Sequence, residues 1–215
     1  MPPTNSPSAL LRQHLGEFGM NKRVLEYRGQ KSHTINIGGV VRELPVIQVS
    51  EDLWIASNAD LILGDMEFIQ AAAELMHDKV KRYDPEILVT PEAKAIAFAY
   101  ELAKRLGHKR LVIARKSVKA YMTDYLIEEC SSITTKAKQV LILVKEDVDR
   151  VRGKRVCIID DVVSTGGTIT ALERLIERAE GIIACKAAIW IEGPWYEGDL
   201  IYLDELPVFK RVERA

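Results

Sequence analysis

The sequence predicts an α/β fold, a central parallel sheet flanked by helices. Three observations carry that expectation. From Asp65 onward, short apolar runs alternate with amphipathic stretches of helical length, the pattern of repeated βαβ units. The apolar runs are continuous rather than alternating, as expected of strands buried on both faces. The chain has 215 residues, 47% of them apolar and 28% charged, enough for one such domain with a small appended element.

The N-terminal part reads differently from the rest. Residues 1–8 are rich in Pro, Ser and Asn and are expected to lack order. "SALLRQHLGEFGM" places apolar residues at helical spacing, with Ser8 as an N-cap. "RVLEYRG" and "HTINIGGVVRELPVIQV" read as strands around Gly-containing turns. Residues 1–60 are therefore expected to form a small unit of their own, and 61–215 the main domain.

Within the main domain, "DMEFIQAAAELMHDKVKRY" is an amphipathic helix capped by Asp65, with Ile69, Ala72, Ala73, Met76 and Val80 on one face. "EILVT" is a short buried strand. "PEAKAIAFAYELAKRLG" follows as a helix, with Pro91 near its first turn and Gly107 at its end. "RLVIA" and "RVCIID" are further strands, "TITALERLIERAEG" a helix closed by Gly181, and "IIACKAAIWIE" the next strand. One segment resists the scheme. Residues 115–140 are polar, long and weakly periodic, and a long loop inside a compact domain is usually a lid or disordered.

Composition excludes several functional classes. The net charge of −1 gives no general attraction for nucleic acid or membrane. Cys130, Cys157 and Cys185 are too few and too scattered for a disulfide framework or a structural zinc site, and Cys157 reads as a buried thiol. The four histidines show no ligand spacing. There is no apolar run of ~18 residues and no signal-peptide pattern, so a cytoplasmic protein is expected.

The most informative stretch is "RVCIIDDVVSTGGTITALERL". An apolar strand runs into Asp160 and Asp161. A hydroxyl-rich turn with Gly166 and Gly167 follows, and then a helix. In open parallel sheets, ligands bind at the carboxyl ends of the strands. Ser164, Thr165, Gly166, Gly167 and Thr168 can present N–H and O–H groups to a phosphate at the positive end of the helix dipole. A plain solvated turn is one alternative. A Walker-B strand is another, but the chain has no G-x-x-x-x-G-K-[ST] to accompany it. A single ligand that carries a phosphate and vicinal hydroxyls satisfies both halves of the motif. A 5-phosphorylated ribose is such a ligand, with its hydroxyls on the carboxylates directly or through Mg²⁺.

"VCIIDDVVSTGGT" resembles the phosphoribosyl-pyrophosphate (PRPP) motif of type I phosphoribosyltransferases. "VTPEAKAIAFAYELAKRLG" is similar to the segment of adenine enzymes that holds the pyrophosphate-binding turn, with Glu92-Ala93-Lys94-Ala95 where Glu-Ala-Arg-Gly is more usual. "VIARKSVKAYM" resembles the family's strand ending in Arg-Lys. "SSITTKAKQVLIL" resembles the return arm of the flexible loop in adenine and xanthine enzymes, and "LIYLDELPVF" resembles the C-terminal segment of adenine enzymes.

The resemblance implies the type I fold, with a small N-terminal hood over the site and a flexible loop at about 116–136. It implies transfer of phosphoribosyl from PRPP to a purine, adenine first, with release of pyrophosphate. PRPP would be held by Asp160, Asp161, Val162, Val163, Ser164, Thr165, Gly166, Gly167 and Thr168, and the pyrophosphate by Glu92, Ala93, Lys94, Ala95, Arg115, Lys116 and Lys119. Mg²⁺ is the implied cofactor, bound at Asp160 and Asp161 directly or through water. Asp160, Asp161 and Arg115 are the implied catalytic residues, and Glu128 or Glu129 the implied general acid/base in the loop. Asn58 and Trp195 are the candidates for the base, Trp195 by stacking. The resemblance further implies a homodimer without nucleic-acid partners. A PRPP-sensing regulator of the same fold, without catalysis, is the alternative.

Overall fold

The structure is a computed structural model and describes residues 23–130 and 139–211. The helix expected over residues 8–20 and residues 131–136 of the expected flexible loop lie outside these residues.

In chain order the chain forms β1 (Val24–Glu26), β2 (Ser32–Ile37), β3 (Val40–Ser50), β4 (Leu53–Ala56), α1 (Ala59–Gly64) and α2 (Met66–Val80). These are followed by β5 (Ile87–Pro91), α3 (Ile96–Arg105), β6 (Val112–Ala114), β7 (Tyr125–Cys130), β8 (Gln139–Val144) and α4 (Lys145–Val151). The chain continues with β9 (Arg155–Val163), α5 (Gly167–Arg178), β10 (Ile182–Glu192), β11 (Ile201–Leu206) and β12 (Val208–Lys210).

The expected parallel sheet is present, in the order β11-β10-β9-β5-β6. Along residues 156–159 its central strand β9 alternates between two cores. Cys157 and Ile159 join the core beneath α2 and α3, while Val156 and Ile158 join the core beneath α5. That alternation is why the run is continuously apolar: both faces are covered. On α2, Phe68, Ile69, Ala72, Ala73, Met76 and Val80 are buried, and the Asp65 carboxylate accepts from the Phe68 N–H at 3.0 Å. On α5, Leu172, Leu175 and Ile176 are fully buried, each contributing about 1.5–3 kcal/mol of apolar burial.

A second sheet, β1-β12-β4-β3-β2, stands beside the first. Four of its strands come from residues 24–56, and β12 comes from the far end of the chain. Arg42 ties this sheet to α2 through the carboxylates of Asp65, at 2.8 Å, and Glu67, at 2.6 Å.

The structure departs from the sequence reading in three places and assigns one stretch that the reading left open. The helix expected from Pro91 begins only at Ile96. Pro91 is the last residue of β5, and the Glu92 N–H continues the sheet by bonding to the Ala114 carbonyl at 2.9 Å, which leaves 92–95 as a turn. Residues 125–130 and 139–144 are not loop but an antiparallel arm. Its period of two was obscured because Glu128 stands on the packed face between Leu126 and Cys130. The "LIYLDELPVF" stretch supplies both β11, an edge strand of the parallel sheet, and β12. Finally, Cys157 is not a free thiol. It is joined to Cys185, because the parallel pairing of β9 and β10 brings the two Cα atoms to 4.7 Å.

Candidate active site

The carboxyl ends of β5, β9 and β10 open into a cavity of about 420 Å³, closed on its other side by the hood-like second sheet. This is where an open parallel sheet places a ligand.

Asp160 and Asp161 are the last acidic residues of β9 and line this cavity, only 5% and 8% exposed. The Asp161 N–H donates to the Asp160 carboxylate at 2.9 Å. Burial, and then the adjacent Asp161 charge, hold the Asp160 carboxyl well above the usual carboxylate range. Two buried like charges without a cation are unfavourable, so the pair suits a ligand that brings donors or a metal.

Residues 162–168 form the next wall, and all of them line the cavity. Gly166 adopts a positive φ of 80°, and a Cβ there would overlap the Tyr196 ring. Only glycine makes this turn without displacing Tyr196. The Gly166 carbonyl accepts the Thr170 N–H at 2.9 Å, so α5 starts at once and aims its unpaired first-turn N–H groups at the cavity mouth.

The turn after β5 supplies Glu92, Lys94 and Ala95, joined in the wall by Lys116. Glu92 is pinned there. It accepts the Lys116 N–H at 3.0 Å and pairs with the Arg115 guanidinium at 3.3 Å, contacts that hold its carboxyl below the usual range. Arg115 is thus engaged with Glu92 and does not line the cavity, nor do Ala93 and Lys119.

The remaining wall is apolar. Leu44, Leu53, Ile55, Ile62 and Leu206 line it together with Trp190 and Trp195. Trp190 is 1% exposed and stacks on Phe68 with ring centres 5.4 Å apart. Trp195 is folded back by Gly193, whose φ is +63° and whose hydrogen faces the indole where a Cβ would clash. Asn58 also lines the cavity, while its side chain accepts the Asp60 N–H at 3.1 Å and caps α1.

Two differences from the sequence reading concern function. Glu128 lies away from the cavity: it pairs with Arg178 on α5, and Arg178 also donates to the Ile127 carbonyl at 2.8 Å. Glu129 is not among the lining residues either. Conversely, sequence reasoning passed over Glu192. This last residue of β10 lines the cavity at 8% exposure. Burial pushes its carboxyl up to about 7, against the Ser164 hydroxyl and Lys94, which draw it down. The signal was there to be read: a lone carboxylate closing an eleven-residue strand directly before Gly193-Pro194.

Residues 59–194 match the family of the phosphoribosyl transferase domain. The chain belongs to this phosphoribosyltransferase family. It is 34% identical over 127 residues to an adenine phosphoribosyltransferase of Fervidobacterium nodosum, covering 59% of this chain and 71% of that one. It is 30% identical over 155 residues to an adenine phosphoribosyltransferase of Thermosipho melanesiensis, covering 72% and 83%. The fold is that of the adenine phosphoribosyltransferase of Thermoanaerobacter pseudethanolicus, with a TM-score of 0.59, 23% identity, and coverage of 81% of this chain and 95% of that one. The Saccharomyces cerevisiae enzyme, solved with an iminoaltritol bisphosphate and adenine, superposes with a TM-score of 0.58 at 17% identity, covering 80% and 94%. The matched segment includes Asp160, Asp161 and the following turn, together with α1 and the whole of β10. Among the described residues, no helix is long and apolar enough to cross a membrane.

Proposed function

We propose that the chain transfers the phosphoribosyl group of PRPP to a purine, adenine first, giving the nucleoside monophosphate and pyrophosphate. One observation carries the reading: a single cavity joins an anion-holding turn at 164–168, paired carboxylates at 160–161, a basic turn at Lys94 and Lys116, and an apolar wall with Trp195. These four surfaces correspond in chemistry to the 5-phosphate, the ribose hydroxyls, the pyrophosphate and a flat base. The likeness to adenine phosphoribosyltransferases supports adenine as the acceptor.

In this reading the N–H groups of 164–168 and the start of α5 fix the 5-phosphate. Asp160 and Asp161 accept from the ribose hydroxyls and face the positive charge that grows at C1 as pyrophosphate leaves. Lys94 and Lys116 stabilise the leaving anion, and Arg115 acts through Glu92 by holding the 92–95 turn in place. The apolar wall excludes water that would hydrolyse the donor.

Magnesium fits the donor set. Among the described residues no group of three or more His, Cys, Asp and Glu is arranged to hold a metal, and Mg²⁺ typically takes one or two carboxylates and fills its shell with water and substrate phosphate oxygens. Asp160 and Asp161 would hold it, directly or through water. Once bound, it would neutralise charge on the departing pyrophosphate.

The test is direct. The protein, PRPP and Mg²⁺ are incubated with adenine, hypoxanthine, guanine and xanthine, and nucleotide and pyrophosphate are measured. Formation of AMP is expected. PRPP binding without turnover of any base would overturn the enzymatic reading and leave a PRPP sensor.

A further inference from the structure

We propose that Glu192, with the Ser164 hydroxyl beside it, selects the acceptor base by taking a hydrogen bond from an N–H donor on the purine edge, favouring a 6-amino over a 6-oxo ring. The inference rests on the proposed transferase reading and names the residue that sets its specificity.

The argument begins with position. β10 lies beside β9 in parallel register, with Ile191 opposite Val163. Glu192 is one residue further along, which sets it at the level of Ser164, where the motif strand has turned into the anion-holding loop. The strand then folds back through Gly193, and Glu192 and Trp195 line the same cavity. A carboxylate and an indole lining one cavity suit a flat heterocycle that stacks on the indole and presents its edge to the carboxylate.

The chemistry narrows the ligand. An ionised carboxylate only accepts hydrogen bonds, and a buried one is unfavourable until donors are supplied. Among the described residues, the Ser164 hydroxyl, itself buried without a hydrogen-bond partner, and Lys94 draw the Glu192 carboxyl down, while the Asp161 charge pushes it up. One hydroxyl leaves most of the carboxylate's acceptor capacity unused. A phosphate cannot use that capacity, because it offers more negative charge. A ring or exocyclic N–H can. Set against position 6 itself, the carboxylate accepts from an exocyclic amine and meets a 6-oxo group oxygen against oxygen, which discriminates by repulsion as well as by the lost bond. Asp160 and Asp161, the other buried carboxylates of the cavity, stand on the neighbouring strand at the level of Ala188 and beyond, further back along the sheet.

The experiment compares the wild type with Glu192→Gln and Ser164→Ala. It measures kcat/KM for adenine and for hypoxanthine at saturating PRPP, and the KM for PRPP. In Glu192→Gln, whose amide can donate to a carbonyl, the adenine-to-hypoxanthine ratio is expected to fall at least roughly tenfold, mainly through a higher KM for adenine. The KM for PRPP should stay within about twofold, and Ser164→Ala should move the ratio in the same direction by a smaller factor. An unchanged ratio in a folded Glu192→Gln protein overturns the inference while leaving the transferase reading intact. So does a loss carried by the KM for PRPP, which would assign Glu192 to the ribose. If Glu192→Gln does not fold, the wild type decides alone: purine and 6-methylpurine, which lack a donor at position 6, should bind at least about tenfold more weakly than adenine, by quenching of tryptophan fluorescence. Equal binding of all three overturns the inference. A wild type that turns over no base but binds adenine in preference to 6-methylpurine overturns the transferase reading and keeps the specificity assignment.

Discussion

In the proposed reading, the two ends of the cavity, one for the phosphoribosyl donor and one for the base, are built in opposite ways. The phosphoribosyl end is one uninterrupted stretch, Asp160 to Thr168, in which strand, turn and helix N-terminus follow each other along the chain. The base end is assembled from separate pieces: Leu44, Leu53 and Ile55 from the hood sheet, Ile62 from α1, Trp190 and Glu192 from β10, Trp195 beyond it, and Leu206 from β11. The difference teaches that a fixed donor can be recognised by local backbone geometry. The acceptor, in contrast, is read by surfaces that meet only when two sheets pack together. Loss of the paired carboxylates at the first end should therefore abolish donor use, while substitutions at the second end should alter choice and affinity.

The largest effect is expected at the donor end. Asp160→Asn with Asp161→Asn should lower turnover by on the order of 10³-fold, measured as pyrophosphate release. A double variant within tenfold of wild type would remove the contrast between the two ends.

Next comes a pH effect at the base end. The Glu192 carboxyl is pushed from its ordinary 4.5 to about 7 by burial. Its folded-state value is thus raised, so the folded protein binds the proton more tightly than the unfolded chain. The associated stability is present below pH ~4.5 and lost as pH rises toward about 7, a difference of roughly 3 kcal/mol. Urea unfolding at pH 4.5 and pH 8 should show the wild type gaining, relative to Glu192→Gln, by about that amount at the acid end.

Gly166→Ala should come third. Positive φ and the Tyr196 ring both oppose a side chain there, so stability should fall by about 1–3 kcal/mol and PRPP affinity with it. Thermal unfolding and PRPP titration check both. Trp195→Ala should raise the KM for adenine roughly five- to twentyfold, through loss of a stacking surface worth about 1–2 kcal/mol, with the KM for PRPP nearly unchanged. An equal rise in both would merge the two ends into one. The smallest effect belongs to Glu128→Gln. Its partner is Arg178 rather than the cavity, so kcat should change by less than about twofold, with only a small stability loss from a partly exposed pair.

The sequence made some of this legible and concealed the rest. The donor end was readable because each requirement is local: an apolar strand buried on both faces, two carboxylates at its end, glycines where the chain must turn, and an immediate helix start. The same holds for α2, whose capped and periodic pattern matches the face it buries. The arm formed by β7 and β8 was not readable. Its register depends on pairing across residues 131–138, and Glu128 breaks the polar alternation because Arg178, fifty residues away, neutralises it. The Cys157–Cys185 link was hidden for the same reason, since a separation of 28 residues says nothing about strand adjacency.

By itself, then, the amino-acid order determined the α/β class, the parallel sheet, and a turn suited to a phosphorylated ribose. These follow from short-range rules of burial, capping and backbone freedom. Tertiary structure alone decided which residues line the part of the cavity proposed for the base. β12 had to return to the hood, β10 had to lie beside β9, and Gly193 had to fold Trp195 back before Glu192 faced a cavity. A carboxylate's role depends on what surrounds it, and those surroundings come from distant parts of the chain. Glu192 acquired its displaced pKa and its place in the wall only through that packing.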